Sequence, residues 1–318
     1  MLSFIRMDPP DHTRLRNAVS KVFTARAVQE LRPLIQETVD DLLDRQRESL
    51  ELDVVSELAY PLSVTVISHL LGIPPEDRTQ VARWSEGLLR ILNATSRAEV
   101  PVGAEVSAIA QSRRYFQSLI AERQREPRDD LVSSLIASSQ QGRVSSSEVL
   151  STVLLLLVAG HETSVNLISN GTLALLRNLE QLARLRDEPG IIESGVEELL
   201  RYDSPVQILL RFAVEDTELG GKHIRRGSTL VVILGAANRD PEVFDDPDTL
   251  DLTRPDNRHV AFGGGIHYCL GSALARLEGQ VAIGSLVARH PRLALASDRR
   301  EWRESLVWRG LERLPVRV

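Results

Sequence analysis

The chain has 318 residues, 42% hydrophobic and 26% charged, a balance that supplies a core and excludes intrinsic disorder. Its 44 acidic and 38 basic side chains leave a formal charge of -6, and its aromatic residues are sparse, so neither a cationic field nor a base-stacking platform favours nucleic acid. A single cysteine, Cys269, excludes an internal disulfide and a multi-cysteine zinc site.

The opening MLSFIRMDPPDH carries no secretory pattern. The longest purely apolar run, Val153 to Ala159, falls far short of the roughly 20 residues that span a bilayer. A cytoplasmic location and no membrane partner are therefore expected. From Asp11 to Glu122 apolar residues recur every three or four positions, as in Leu31, Leu34, Ile35, Val39, Leu42 and Leu43, which predicts amphipathic helices. Pro61, Gly72-Ile73-Pro74-Pro75 and Pro101 punctuate them. After a polar stretch, a much more apolar helix is predicted from Glu148 to about Leu176, capped by Ser145 or Ser146 and running through the centre of the molecule.

A further helix, Ile191 to Tyr202, stops at Ser204-Pro205 because the residue before proline disfavours the helical region. Ile208 to Leu219 and His223 to Leu234 are β-rich around Gly220-Gly221, so short strands in a small sheet are expected. Asn238 to His259 reads as loop, and a last helix follows Cys269 to about His290. The fold class is mainly α with a small β part, in a single domain spanning 1–318.

Three segments carry chemistry. In FGGGIHYCLGSALARLE, residues 262 to 278, glycines permit close backbone approach to a flat ligand, and a cysteine at a helix start is set up as a thiolate. Nucleophile, redox sensor and metal ligand all remain open for it. No Gly-Lys-Ser/Thr follows the glycines, which excludes a phosphate loop, and zinc lacks further thiols. In Ala159-Gly160-His161-Glu162-Thr163 a zinc helix fails because position 165 is Val; glycine and polar residues inside an apolar helix mark a place where its hydrogen-bond ladder can open. Glu198 and Arg201 are neighbours on one helix face.

Phe262, Gly263, Gly265, His267, Cys269 and Gly271, followed by Leu274-Ala275-Arg276, resemble the haem-thiolate loop of cytochromes P450 of the soluble bacterial type. The resemblance implies haem b with its iron on the Cys269 thiolate, whose electron density favours O-O cleavage. It implies Phe262 packed beside the sulfur, and a cationic cradle of His12, Arg16, Arg211 and His267 for the two propionates. The central helix is similar to the family's oxygen-binding groove, with Gly160 giving dioxygen room, Thr163 holding the proton-delivering water chain and Glu162 as acidic relay; His161 is given no chemistry. Glu198 and Arg201 resemble the K-helix pair, completed by Arg254 as a structural triad. The family's A and B helices and first strands have no counterpart here, so a P450 fold running from the C helix to the C-terminus is expected.

The function so implied is a haem-thiolate monooxygenase of secondary metabolism that inserts one oxygen atom from O2 into a lipophilic small molecule. Electrons would come from NAD(P)H through a ferredoxin or flavodoxin. Pocket candidates are Leu155, Val158, Ala159 and Thr163, then Val206, Gln207, Ile208 and Leu209, with Leu306 and Val307 from the C-terminal turn. The alternative is a non-catalytic P450-like accessory protein or a decayed, truncated copy, against which the retained Cys269 weighs.

Overall fold

The computed structural model describes residues 4–47, 49–93 and 103–318. The elements run α1 (Asp11–Ser20), α2 (Ala25–Gln29), α3 (Arg32–Asp44), β1 (Glu51–Asp53), α4 (Tyr60–Leu70), α5 (Arg78–Asn93), α6 (Ala104–Arg125), α7 (Leu131–Gln140), α8 (Ser146–Ala159), α9 (Glu162–Arg177), α10 (Leu179–Asp187) and α11 (Ile192–Tyr202). Then follow β2 (Ile208–Phe212), β3 (Thr217–Leu219), β4 (Lys222–Ile224), β5 (Thr229–Ile233), α12 (Leu234–Ala237), α13 (Ser272–Arg289), β6 (Ala294–Leu295) and β7 (Pro315–Arg317). The expected break at Pro101 lies outside the described residues.

The predicted central helix is two helices. α8 starts where Ser145 and Glu148 form a reciprocal cap: the Ser145 hydroxyl accepts from the Glu148 amide at 3.3 Å, and the Glu148 carboxylate accepts from the Ser145 amide at 2.7 Å. Arg14 of α1 bonds the same carboxylate at 2.7 Å and, with the cap, holds it down at about 2. The chain leaves the helical ladder at Gly160–His161, and α9 resumes at Glu162. Every residue of α9 from Ser164 to Leu176 is buried, the polar Ser164, Asn166, Ser169, Asn170 and Thr172 included, so this helix runs through the core. α13 packs along α9, with Gly279 facing Leu167 and Val196: a Cβ there would sit 3.0 Å from Leu167 Cδ2.

Among the described residues the strands form three separate antiparallel sheets in place of one small sheet. β2 pairs with β5 from Ile208↔Ile233 to Phe212↔Thr229. The β3–β4 hairpin between them turns on Gly220 and Gly221, at φ 57° and 73°, which a side chain rarely adopts. β7 lies between β1 and β6, pairing the C-terminal residues with a strand more than 250 positions earlier that periodicity gave no sign of.

The loop from 238 to 257 is pinned by a buried ion cluster. Glu198 is fully buried; Arg201, three residues on, bonds both its oxygens at 2.7 and 2.8 Å, and Arg254 reaches them at 3.1 and 3.2 Å. The Asn257 amide and the Asp251 N–H add two more donors. Arg201 also bonds the carbonyls of Asn238, Pro247 and Thr249. Replacing Glu198 by Ala strands two largely buried guanidiniums, so the loss in unfolding free energy is expected to be about 3–5 kcal/mol, read from the shift of a urea denaturation curve.

A second buried carboxyl has the opposite character. Glu278 of α13 is fully buried, and the neighbouring Ser164 hydroxyl does not offset its desolvation. Burial pushes it up to about 8 from an ordinary value near 4.5. An unfolded chain gives up this proton near pH 4.5 while the folded chain keeps it, so the folded state loses stability as pH rises from there to about 8. Glu278→Gln is expected to flatten that part of the stability-against-pH curve, whose slope from this group is at most about 1.4 kcal/mol per pH unit; a denaturation series between the two pH limits checks it.

Candidate functional site

The glycine loop before α13 is shaped by its own backbone. Gly263 and Gly265 have φ of 69° and 65°, a left-handed conformation that a side chain strains. Gly263 donates to the Val260 carbonyl, Tyr268 to Gly265, and the Cys269 amide to Phe262 at 2.9 Å, which closes the loop on itself. A Cβ on Gly264, Gly265 or Gly271 would meet nothing within 4 Å, whereas one on Gly263 would lie 3.4 Å from Leu209 Cδ1 of β2. Gly271 has an ordinary φ of -87°; its contribution is the amide, which donates to the Cys269 sulfur.

The sulfur itself corrects the expectation of a ready-made anion. Burial pushes the Cys269 thiol up, and the Gly271 N–H, Arg16 and Arg276 pull the other way without prevailing. A helix start and an amide donor do not outweigh desolvation here; a bound cation does, because a coordinating thiol is deprotonated outright.

The expected cradle residues come together. The His12 and His267 rings meet edge to face with centroids 4.5 Å apart. Arg16 Nη2 donates to the Tyr268 carbonyl at 2.6 Å, tying α1 to the cysteine loop. Burial, then His12, Arg211 and Arg16, hold His267 below the usual imidazole range, and burial and Arg16 do the same to His12. Both ring nitrogens of His12 are buried and make no hydrogen bond among the described residues. Buried nitrogens without partners, guanidiniums around them and one sulfur supplied with an amide donor fit an iron porphyrin with two carboxylates.

Phe262 is enclosed by the Arg276 guanidinium 4.6 Å from its centroid and by the rings of His259 and Tyr268. Behind it, Glu197 accepts from Arg276 at 2.6 and 2.8 Å and pairs with His259 at 3.0 Å. Burial pushes Glu197 up, but His259 and Arg276 prevail and hold it at about 2. Glu197 went unnoticed in the sequence because its partners lie 62 and 79 residues away.

At the break between α8 and α9, Gly160 is required by close packing: a Cβ would stand 2.6 Å from Ile67 Cδ1 of α4 and 2.7 Å from the Leu156 oxygen. The Thr163 hydroxyl donates to the Ala159 carbonyl at 3.1 Å. Glu162 is buried and ion-paired with Arg303, a partner in the C-terminal segment that no motif announces.

The pocket candidates divide. Leu155, Ala159 and Thr163, four residues apart, share the accessible face of the helix line. Val158 does not: it is buried in the main hydrophobic cluster, on another face. On β2, alternation sets Leu209 and Arg211 on one face and Ile208 on the other; Leu209 is the residue beside Gly263. Gln207 bonds the Ser204 carbonyl through its side chain and the Val307 carbonyl through its amide, and Val206 bridges Trp308, so the C-terminal turn is tied to the strand. Leu306 is exposed at the tip of that turn.

The cytochrome P450 family pattern matches residues 3–301. Cytochrome P450 107B1 of Saccharopolyspora erythraea is 47% identical over 317 residues, which cover 98% of this chain and 76% of that protein. The 6-deoxyerythronolide B hydroxylase of the same organism is 43% identical over 315 residues, 98% of this chain and 76% of that one. Among solved structures, P450BioI in complex with hexadec-9Z-enoic acid ligated acyl carrier protein superposes with a TM-score of 0.94 at 43% identity, over 99% of this chain and 81% of that chain. With a sulfur, a cradle and a helix break that all fit, and a match running through nearly its whole length, the chain belongs to the cytochrome P450 family of haem-thiolate monooxygenases.

Proposed function

We propose that the chain, as one domain over residues 1–318, hydroxylates or otherwise oxygenates a lipophilic small molecule. One atom of O2 enters the substrate and the other leaves as water, with two electrons and two protons consumed. The electrons come from NAD(P)H through a ferredoxin or flavodoxin, and the location is cytoplasmic. The observation that carries the reading is the only cysteine, held before α13 with an amide on its sulfur, in a loop whose His267 meets the buried His12 ring, itself without a hydrogen bond among the described residues.

Bound haem iron supplies the activation of dioxygen. The chain's own residues do the rest. Cys269 is the iron ligand, and His12, Arg16, Arg211 and His267 take the propionates. Phe262, held by Arg276, limits water at the sulfur. Gly160 leaves room at the break, and Thr163 holds a hydroxyl there that can pass its bond from the Ala159 carbonyl to a water. Glu162, paired with Arg303, stands next to that hydroxyl as the acidic relay residue. Leu155 and Ala159 present an aliphatic wall, and Leu209 faces the glycine loop. One relative is named a hydroxylase of 6-deoxyerythronolide B and another was solved in complex with hexadec-9Z-enoic acid ligated acyl carrier protein, which supports a lipophilic substrate class and leaves the substrate open.

The deciding measurement is the carbon-monoxide difference spectrum of the reduced, haem-loaded protein. A thiolate-type Soret band is expected, and Cys269→Ser is expected to abolish it; absence of haem uptake by the unsubstituted chain would favour an accessory protein. Thr163→Ala is expected to keep the band but to divert reducing equivalents several-fold toward hydrogen peroxide, read by peroxide release per NAD(P)H oxidised.

A further inference from the structure

The helix break is framed by two side-chain bonds of the same kind. In a continuous helix each carbonyl accepts from the amide four residues on. Around the break, the Ala159 carbonyl accepts from the side chain of its i+4 residue, Thr163, and the Leu157 carbonyl accepts from the ring of its own, His161, with Nδ1 at 2.9 Å. A carbonyl only accepts, so the proton sits on Nδ1. The second ring nitrogen is then the acceptor, and the Ser85 hydroxyl of α5 lies against the ring edge, 3.4 Å from that nitrogen and 3.3 Å from Nδ1.

The surroundings hold the ring still. His161 and Ser85 are both buried, and the Tyr60 ring, at the start of α4, meets the imidazole edge to face at 6.0 Å. Ile67, also of α4, occupies the space a side chain at position 160 would need. The break is thus keyed to α4 through Ile67 and Tyr60 and to α5 through Ser85, and His161 touches both.

We propose that His161 is a positioning residue: its Nδ1–H holds the ladder open at Gly160–His161 and so fixes where the Thr163 hydroxyl stands, while Ser85 fixes the ring. Take away the ring donor and the buried Leu157 carbonyl needs another; its partner in a continuous ladder is the main-chain amide of residue 161, and accepting it would extend α8 and carry Thr163 with it. The assignment rests on the monooxygenase reading above, since it gives Thr163 something to be positioned for.

Two measurements test it. Nitrogen-15 NMR of histidine-labelled protein, with the His161 signal identified by its loss in His161→Asn, is expected to show the Nδ1-protonated tautomer, and Ser85→Ala is expected to shift the Nε2 resonance; a ring protonated only on Nε2 overturns the bond. The infrared stretch of carbon monoxide on the reduced protein reports the groove directly. His161→Leu, of similar size but with no donor, is expected to shift or split that band and to raise peroxide release several-fold, while His161→Asn, whose amide reproduces the Nδ1 donor, restores the single band. If His161→Leu fails to fold, Ser85→Ala is expected to broaden the band. A native protein with the thiolate Soret band whose stretch is unmoved by these substitutions overturns the role of His161 alone; a native protein without that band overturns the monooxygenase reading and the role with it.

Discussion

A sulfur atom that must carry charge inside a protein sets the terms for the rest of this molecule. Desolvation favours the neutral thiol of Cys269, and the helix start, one amide and two arginines do not reverse that. A bound cation favours the anion, because a coordinating thiol is deprotonated outright. The loop around it therefore has to be rigid before the ligand arrives, and two glycines at positive φ, a closed set of main-chain bonds and an arginine over Phe262 make it so.

Rigidity at the loop is supplied from elements distant in sequence. α11 contributes two adjacent glutamates with different tasks. Glu198 gathers Arg201 and Arg254 and fixes the loop that leads to the cysteine segment; Glu197 gathers Arg276 and His259 and fixes the ring beside the sulfur. α1 reaches the same segment through Arg16. The Glu198 cluster is made of paired, largely buried charges, the case in which removing one partner is far more costly than the pair is worth. An acidic chain thereby assembles a local excess of imidazole and guanidinium where two carboxylates are to bind.

Legibility in the sequence followed the distance over which each feature is encoded. The capped start of α8, the end of α11 before Ser204-Pro205 and the Gly220-Gly221 hairpin are local, and they stand where turn chemistry and periodicity put them. The spacing around Cys269 was informative because one loop carries all of it. The partners of Glu162, Glu197 and Asp53 lie on remote segments, Arg303, Arg276 and Arg313, and nothing in a single sequence marks which of many arginines will fold against them. Val158 was misplaced because an all-apolar helix has no polar stripe to orient it, so only the packed structure separates the face of Leu155 and Ala159 from the face in the core.

The helix break shows why a defect can be specified as firmly as a helix. Opening a ladder inside a core leaves carbonyls that water cannot reach, each of which costs roughly 1–3 kcal/mol if left bare. The chain answers within five residues: Gly160 for the space against Ile67, the His161 ring for Leu157, the Thr163 hydroxyl for Ala159. Because the Leu157 and Ala159 carbonyls are each matched by a side chain on the next turn, the open geometry replaces two of the bonds a continuous helix would make. The same short stretch then presents a hydroxyl and a small hollow on one face while its ring locks into α4 and α5 on another. Chemistry at such a site is a consequence of where the backbone has been made to give way, and the residues that keep it open matter as much as the one that faces the substrate.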